Sequence, residues 1–305
     1  MIEIQKTRIA LIGLGAIAQK AYLPIVANHA KIESILCTRN TQKLKKLATQ
    51  YRINEFYSSI EQLIKNRPDA AMIHSTTASH FKITSKLLTA GIPVFVDKPL
   101  AFSLKEVEAL CNLSEKNKTL LYLGFNRRFA PLISSLKQEA IPNQINWQKN
   151  RVNLPDDPRV FVFDDFIHVV DSLLFLGSGS IENLQVFSKL KNNKLGALQV
   201  QWQQNKTILN GSMNRISGIT EECLEFYTDG NKWKIDDLTS GFHYQNESKL
   251  PIGFNNWDNT LYKRGFVNLI EDWLKALTTK FDSTRNVDIW KTHNLCEIIV
   301  NKIHT

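Results

Sequence analysis

At 305 residues the chain is long enough for two domains with cores of their own and too long for one ordinary domain. Hydrophobic residues make up 43% and charged residues 22%, with no low-complexity tract, no internal repeat and no apolar run of the roughly 18 residues a membrane helix needs, so fibrous, disordered and membrane-spanning classes are excluded. The formal net charge of +9 is spread in small knots such as Lys43, Lys45 and Lys46 rather than gathered into a stripe with aromatics, which argues for a solvated basic surface that steers an anionic cofactor and against a nucleic-acid partner.

In chain order, Thr7 to Gly13 reads as a continuous apolar strand, the mark of a parallel sheet covered on both faces. Lys6, Arg8 and the apolar run ending in Ala16-Ile17-Ala18 imitate a signal peptide, but Glu3 and the two glycines within so short a run favour a buried strand and a turn. A helical stretch follows, then a strand at Ile32–Cys37. The next helix is capped by Asn40 or Thr41 and carries Leu44, Leu47 and Ala48 on one face. A short strand at Glu55–Tyr57 leads to Ser58-x-x-Glu61, a capping box. Ala70 to His74 is another strand, Ser79 to about Ala90 a helix closed by a left-handed Gly91, and Pro93 to Val96 a strand. Ser103-x-x-Glu106 is a second capping box, and Leu120 to Gly124 ends the series. Such alternation predicts an α/β Rossmann domain, a doubly wound parallel sheet, over residues 1–124.

Residues 125–305 read as an α+β domain with a large open, mostly antiparallel sheet. One helix is predicted over Asp165–Leu176, ended by Gly177. From Ile181 to Tyr244, runs of alternating polarity such as Leu198–Trp202 and Leu224–Tyr227 are separated by turn signals at Asn192-Asn193, Asn210-Gly211 and Asp229-Gly230, the pattern of an antiparallel meander with one buried face. Helices over about Thr260–Thr278 and Val287–Ile303 finish the chain. Cys37, Cys111, Cys223 and Cys296 are far apart and form no C-x-x-C pair, which fits buried thiols in a reducing, cytoplasmic compartment.

Gly13-Leu14-Gly15-Ala16-Ile17-Ala18 is a G-x-G-x-x-A turn placed between the first strand and the first helix. The first glycine permits the tight turn, the second lets the backbone approach a pyrophosphate, and the small Ala18 allows close helix packing. The second strand ends in Cys37-Thr38-Arg39-Asn40, without the acid that an NAD-preferring site puts there, so Thr38 and Arg39 favour the 2′-phosphate of NADP(H), with NAD(H) as the alternative. Asp97-Lys98-Pro99 lies at the carboxyl end of a parallel strand, where ligands bind, and a partly desolvated lysine there can exchange a proton; taken alone, Lys98 also reads as a surface residue. Asp164, His168 and Asp171, spaced by four and three, share one face of a predicted helix, which sets a carboxylate beside an imidazole. The other readings are a helix N-terminus capped by Asp164 and, last, a metal site, for which no further His or Cys has ligand spacing.

Four stretches together resemble the Gfo/Idh/MocA oxidoreductase family: the Gly13 turn, Ser75-Thr76-Thr77-Ala78-Ser79-His80, Val96-Asp97-Lys98-Pro99 and Asp164-x-x-x-His168-x-x-Asp171. More narrowly, these stretches and Gly124-Phe125-Asn126-Arg127-Arg128-Phe129-Ala130-Pro131 are similar to its bacterial MviM (YceM) branch. The resemblance implies that Lys98 contacts nicotinamide and substrate, that Asp164 and His168 complete a proton relay, and that Ser75, Thr76 and His80 line the cofactor; for His80 a packing role in the helix is equally open. It also implies an open sheet used for substrate binding and for self-association, as a dimer or tetramer. Asp97 stands where the family has Glu, and Phe166 replaces the glycine before the motif histidine, which departs from the family's sugar-binding geometry.

The expected cofactor-binding set is therefore Gly13, Gly15, Ala16, Ile17, Thr38, Arg39, Ser75, Thr76, His80, Asp97 and Lys98. Lys98, Asp164 and His168 are expected to be catalytic, with no metal. Asn126, Arg127 and Arg151, with Asp164 and His168, are candidate contacts for a small polar, sugar- or polyol-like substrate, and Arg128 is a further candidate anchor. The expected reaction is hydride transfer between nicotinamide and an alcohol or carbonyl carbon. An NADP(H)-binding sensor without turnover is the alternative, and redox-assisted glycoside cleavage a third.

Overall fold

The computed structural model describes residues 6–303. Contacts divide the chain into two units, one formed by the chain up to Gly124 together with Leu269–Lys291, the other by Phe125–Asn268 and the chain from Thr292 onward. The division into 1–124 and 125–305 thus takes no account of Leu269–Lys291, which returns to the first unit. The reason is an apolar stripe: Leu269, Ile270, Trp273 and Ala276 of the helix Phe266–Leu277 are all buried, and the Trp273 ring meets Phe95 edge-on at 5.5 Å.

In the first unit, strands β1 (Thr7–Ile12), β2 (Ile32–Cys37), β3 (Glu55–Tyr57), β4 (Ala70–Ile73), β5 (Val94–Val96) and β6 (Leu121–Leu123) form a parallel sheet in the order β3-β2-β1-β4-β5-β6. This is the doubly wound Rossmann order, whose reversal beside β1 opens a ligand crevice at the carboxyl ends of the strands. Ile9, Ala10 and Leu11 are fully buried, as a strand covered on both faces requires. Two capping expectations need correction. Ser59, not Ser58, caps the helix Ile60–Lys65, accepting from the Gln62 amide at 3.2 Å, and Ser103 precedes its helix without a side-chain capping bond.

In the second unit, β7 (Gln144–Val152), β8 (Glu182–Lys191), β9 (Lys194–Gln204), β10 (Thr207–Ser217), β11 (Glu221–Thr228), β12 (Asn231–Asp236), β13 (Ser240–Gln245) and β14 (Ser248–Ile252) form one sheet in the order β14-β13-β12-β11-β7-β10-β9-β8. It is not a simple meander: β7, unforeseen in the sequence, is inserted at its centre, parallel to β10 and antiparallel to β11. The expected turn at Asn210-Gly211 is also wrong, since both residues lie inside β10 and the reversal comes at Asn205 and Lys206, both left-handed. Gly211 serves close approach instead. A Cβ there would stand 3.0 Å from both Leu173 and Val169, on the helix Ile167–Leu176 that lies against this strand. Before that helix, Phe161–Phe166 takes the wider π-type turn, so the regular helix begins two residues later than expected. Among the described residues, no helix is long and apolar enough to cross a membrane.

Candidate active site

Strand order alone brings several expected residues together. The carboxyl ends of β2, β1, β4 and β5 carry, side by side, Thr38 and Arg39, then Gly13, then Ser75 and Thr76, then Asp97 and Lys98. Gly13 has φ +84°, and a Cβ on it would stand 2.6 Å from the Ser75 nitrogen and 2.9 Å from the His74 carbonyl carbon, so the turn is seated directly on the end of β4. Gly15 is different: a Cβ there meets nothing nearer than the His74 oxygen at 3.9 Å. The turn is therefore closed beneath and open above, with Ala16 and Ile17 exposed at the start of the following helix. Backbone amides at a helix start beside open space suit the pyrophosphate of a dinucleotide, and the residues present fit that group.

Around the turn, the Ser79 hydroxyl donates to Ser75 Oγ at 2.7 Å, and Thr76 opens the helix Thr77–Thr89 without a side-chain capping bond. Arg39 is exposed, and Asn40 is used as a cap, accepting from the Lys43 amide at 2.9 Å. His80 needs correction as a cofactor ligand. Its ring is 1% exposed, with Nδ1 2.8 Å from the Pro99 carbonyl oxygen and Nε2 3.0 Å from that of Ser75. Neither nitrogen is left for a ligand; the ring ties the end of β4 to the segment that holds Lys98.

Sequence reasoning missed Tyr22. Fully buried, it stacks on His74 with ring centroids 4.1 Å apart, and its hydroxyl donates to Asp97 Oδ1 at 3.1 Å. Burial pushes the Asp97 carboxyl above its usual range, against the pull of Lys98 and the Tyr22 hydroxyl. The same burial pushes His74 down to about 3, so its ring is neutral packing.

The second unit holds the other expected residues, on the sheet face that the helix Ile167–Leu176 covers. Along β7 that face begins apolar, with Ile145 and Trp147, and then turns charged, with Lys149 and Arg151. Lys149 lies opposite Glu222 of β11 and Met213 of β10. Asp165 gathers three cations: the Lys149 ammonium, Arg151 (Nε to Oδ2, 3.0 Å) and Arg215 (Nη2 to Oδ2, 3.2 Å). Burial disfavours the Asp165 carboxylate, but Lys149 and Arg151 outweigh it and hold its pKa far below the usual range. Burial, then the nearby Arg127, brings Lys149 down to about 7.

Two expected substrate contacts are otherwise engaged. Arg127, 5% exposed, donates from Nε and Nη2 to the two Glu222 oxygens at 2.6 and 2.7 Å and from Nη1 to Asn126 Oδ1 at 3.2 Å. Asn126 in turn donates to the Arg264 carbonyl at 2.8 Å. Both are framework, because buried polar groups need their partners inside the protein. Arg128 is likewise committed, bidentate to Asp171 at 2.9 and 2.6 Å, and Thr292 donates to the same carboxylate at 3.2 Å. His168 is buried, whereas Asp164, in the π-type turn, is exposed; the inward carboxylate of that turn is Asp165, which motif reading passed over. Arg151 keeps 32% of its side chain exposed. Among the described residues, no group of three or more His, Cys, Asp or Glu side chains is arranged to hold a metal ion.

A Rossmann unit with an open phosphate turn, joined in one chain to a unit built on a mostly antiparallel sheet, defines a two-unit dinucleotide-binding protein. Comparison with known proteins narrows this. Residues 7–125 match the model of an oxidoreductase family with an NAD-binding Rossmann fold, and residues 131–247 match the YceM-like C-terminal domain. YceM of Salmonella typhimurium is 34% identical over 278 residues, covering 88% of this chain and 89% of that protein. The crystal structure of a Gfo/Idh/MocA family oxidoreductase from Vibrio cholerae superposes with a TM-score of 0.91 at 36% identity, covering 98% of this chain and 100% of that one. More distantly, UDP-N-acetylglucosamine 3-dehydrogenase of Acidithiobacillus ferrooxidans is 21% identical over 249 residues, covering 78% of this chain and 79% of that protein. The chain belongs to the Gfo/Idh/MocA family of NAD-binding oxidoreductases, with a YceM-like C-terminal domain.

Proposed function

We propose that the chain moves hydride between NADP(H) and an alcohol or carbonyl carbon of a small polar, sugar- or polyol-like substrate. The observation that carries this reading is the row of strand ends in the first unit, where Gly13 is closed against Ser75, Gly15 is open above, and Lys98 stands one strand further along. When bound, the coenzyme supplies the hydride donor or acceptor. The amides from Gly13 to Ile17 hold the pyrophosphate, with Ser75 and Thr76 beside them. Thr38 and Arg39, in a Cys37-Thr38-Arg39-Asn40 stretch that contains no acid, suit a 2′-phosphate, which a guanidinium binds bidentately. The Lys98 ammonium, steadied by Asp97 and Tyr22 behind it, moves the proton of the reacting hydroxyl. In the second unit, His168 and Asp164 are assigned to proton handling and substrate orientation. The distant relative named for oxidation of a nucleotide sugar supports a sugar-like substrate.

The test is calorimetric titration with NADPH and NADH, followed by coenzyme turnover across a panel of polyols and keto-sugars. NADPH is expected to bind more tightly, and Arg39→Ala to remove about tenfold of that preference. Lys98→Met is expected to lower kcat by about 10²–10⁴ with little change in NADPH affinity. No heat with either coenzyme overturns the reading. Tight binding with no turnover on any substrate overturns its catalytic part.

A further inference from the structure

The second unit holds more buried and half-buried positive charge than its carboxylates balance. Asp165 is shared by Lys149, Arg151 and Arg215, while Glu222 is fully occupied by Arg127 and the Trp147 indole N–H, 3.0 Å away. Asp156 meets a single cation among the described residues, Arg215 at 3.7 Å, and its side chain is 40% exposed. Arg264 is half-buried, and among the described residues no carboxylate lies within ion-pair distance of its guanidinium. Its charge is disfavoured first by burial and then by Arg127, with Glu222 and the exposed Asp237 compensating in part and Arg151 adding to the repulsion. Arg151 spends Nε and Nη2 on Asp165, so its Nη1 has no acceptor among the described residues.

A surplus of this kind is a poor way to stabilise a sheet, since buried like charges repel and each carries a desolvation penalty that apolar side chains in the same place avoid. The same strand shows the apolar solution one turn of the pleat earlier, at Ile145 and Trp147. The charged end of this face also lies on the segment that carries the D-x-x-x-H motif, because Asp165 sits inside it, three residues before His168.

Resting on the oxidoreductase reading above, we propose that Arg151 and Arg264 form an oxyanion subsite, and that the substrate is an acidic sugar derivative bearing a carboxylate or a phosphate. Guanidinium groups with unused donors pair with either oxyanion in planar, bidentate fashion, and such a ligand would offset the surplus charge. Arg215, held behind by Asp165, raises the local positive potential without needing to touch the ligand.

The test uses the full chain saturated with NADPH and matched probes: glucose as the neutral sugar, glucuronate as the carboxylate and glucose 6-phosphate as the phosphate. At least one anionic probe is expected to bind about tenfold or more tightly than glucose and to weaken as salt is raised; which anion wins decides between the two sources. Arg264→Met and Arg151→Met are each expected to weaken that probe by about 10- to 100-fold, with NADPH affinity unchanged. Arg264→Met breaks no ion pair, so it separates recognition from folding. Equal binding of neutral and anionic probes, anion affinity that survives both substitutions, or no anionic binding to protein that still binds NADPH would each overturn the subsite. Failure to bind NADPH at all instead overturns the oxidoreductase reading beneath it.

Discussion

Gly13→Ala and Gly15→Ala should part the two roles of the phosphate turn. At Gly13 the backbone has φ +84°, where an L side chain costs about 1–2 kcal/mol. The added methyl would also stand 2.6 Å from the Ser75 nitrogen and 2.7 Å from its Cα, both backbone atoms that cannot rotate away. Forced overpacking of this sort costs about 1–3 kcal/mol, so Gly13→Ala is expected to lose about 2–5 kcal/mol of stability. At Gly15 the nearest atom is 3.9 Å from the methyl and φ is ordinary, so stability should stay within about 0.5 kcal/mol of wild type. The methyl instead fills the space a pyrophosphate needs, and NADPH affinity should fall about tenfold or more. Urea unfolding followed by circular dichroism, paired with NADPH titration on each variant, measures both. A wild-type unfolding midpoint for Gly13→Ala, or a Gly15→Ala protein that binds coenzyme normally, refutes the placement of this turn.

Two further predictions concern the buried charges of the second unit. Burial raises the Glu222 carboxyl, but Arg127, with help from Lys149 and Trp147, brings it down to about 2, so its stabilisation is complete above the unfolded value near 4.5 and is lost as pH falls toward 2. Glu222→Gln leaves Arg127 buried without its countercharge. It should cost about 3–5 kcal/mol at neutral pH and flatten the acid limb between those two values, read by urea unfolding across pH. Lys149 moves the other way. Its pKa falls from 10.5 to about 7, so between these values the unfolded chain holds a proton that the native one has released, and stability rises with pH. The slope is at most about 1.4 kcal/mol per pH unit, and Lys149→Met should abolish it; an unchanged slope in that variant would mean another group titrates there.

The Rossmann unit was legible because its inner strands, such as Ala70–Ile73 and Val94–Val96, are buried on both faces and read as apolar runs; Ile32–Cys37 and the half-exposed Glu55–Tyr57 also fall where the sequence pattern puts them. Local punctuation misled where two neighbours carry the same chemistry, as at Ser58 and Ser59, or where a glycine serves packing rather than a turn, as at Gly211. Strand β7 was hidden for a different reason. Gln-Ile-Asn-Trp-Gln-Lys-Asn-Arg-Val places Lys149 and Arg151 on the inner face, so the charge that matters for the site breaks the very alternation that would reveal the strand. Of the candidate site, the phosphate turn and Lys98 could be found from pattern. The partners that commit Arg127 and Arg128, and the choice of Asp165 over Asp164 as the inward carboxylate, depend on contacts between segments distant in sequence.

The return of Leu269–Lys291 to the first unit has a consequence for biosynthesis. Phe95 gains Trp273 as its edge-on neighbour, the Tyr122 hydroxyl gains Asp272 at 2.7 Å, and the helix Leu104–Asn117 gains Asn286, which donates to Ser114 Oγ at 3.2 Å, only after nearly all of the chain has been made. On the ribosome, the coenzyme fold, though encoded first, cannot close until its returning segment has been made, and the second unit, which takes in the chain from Thr292 onward, is completed later still.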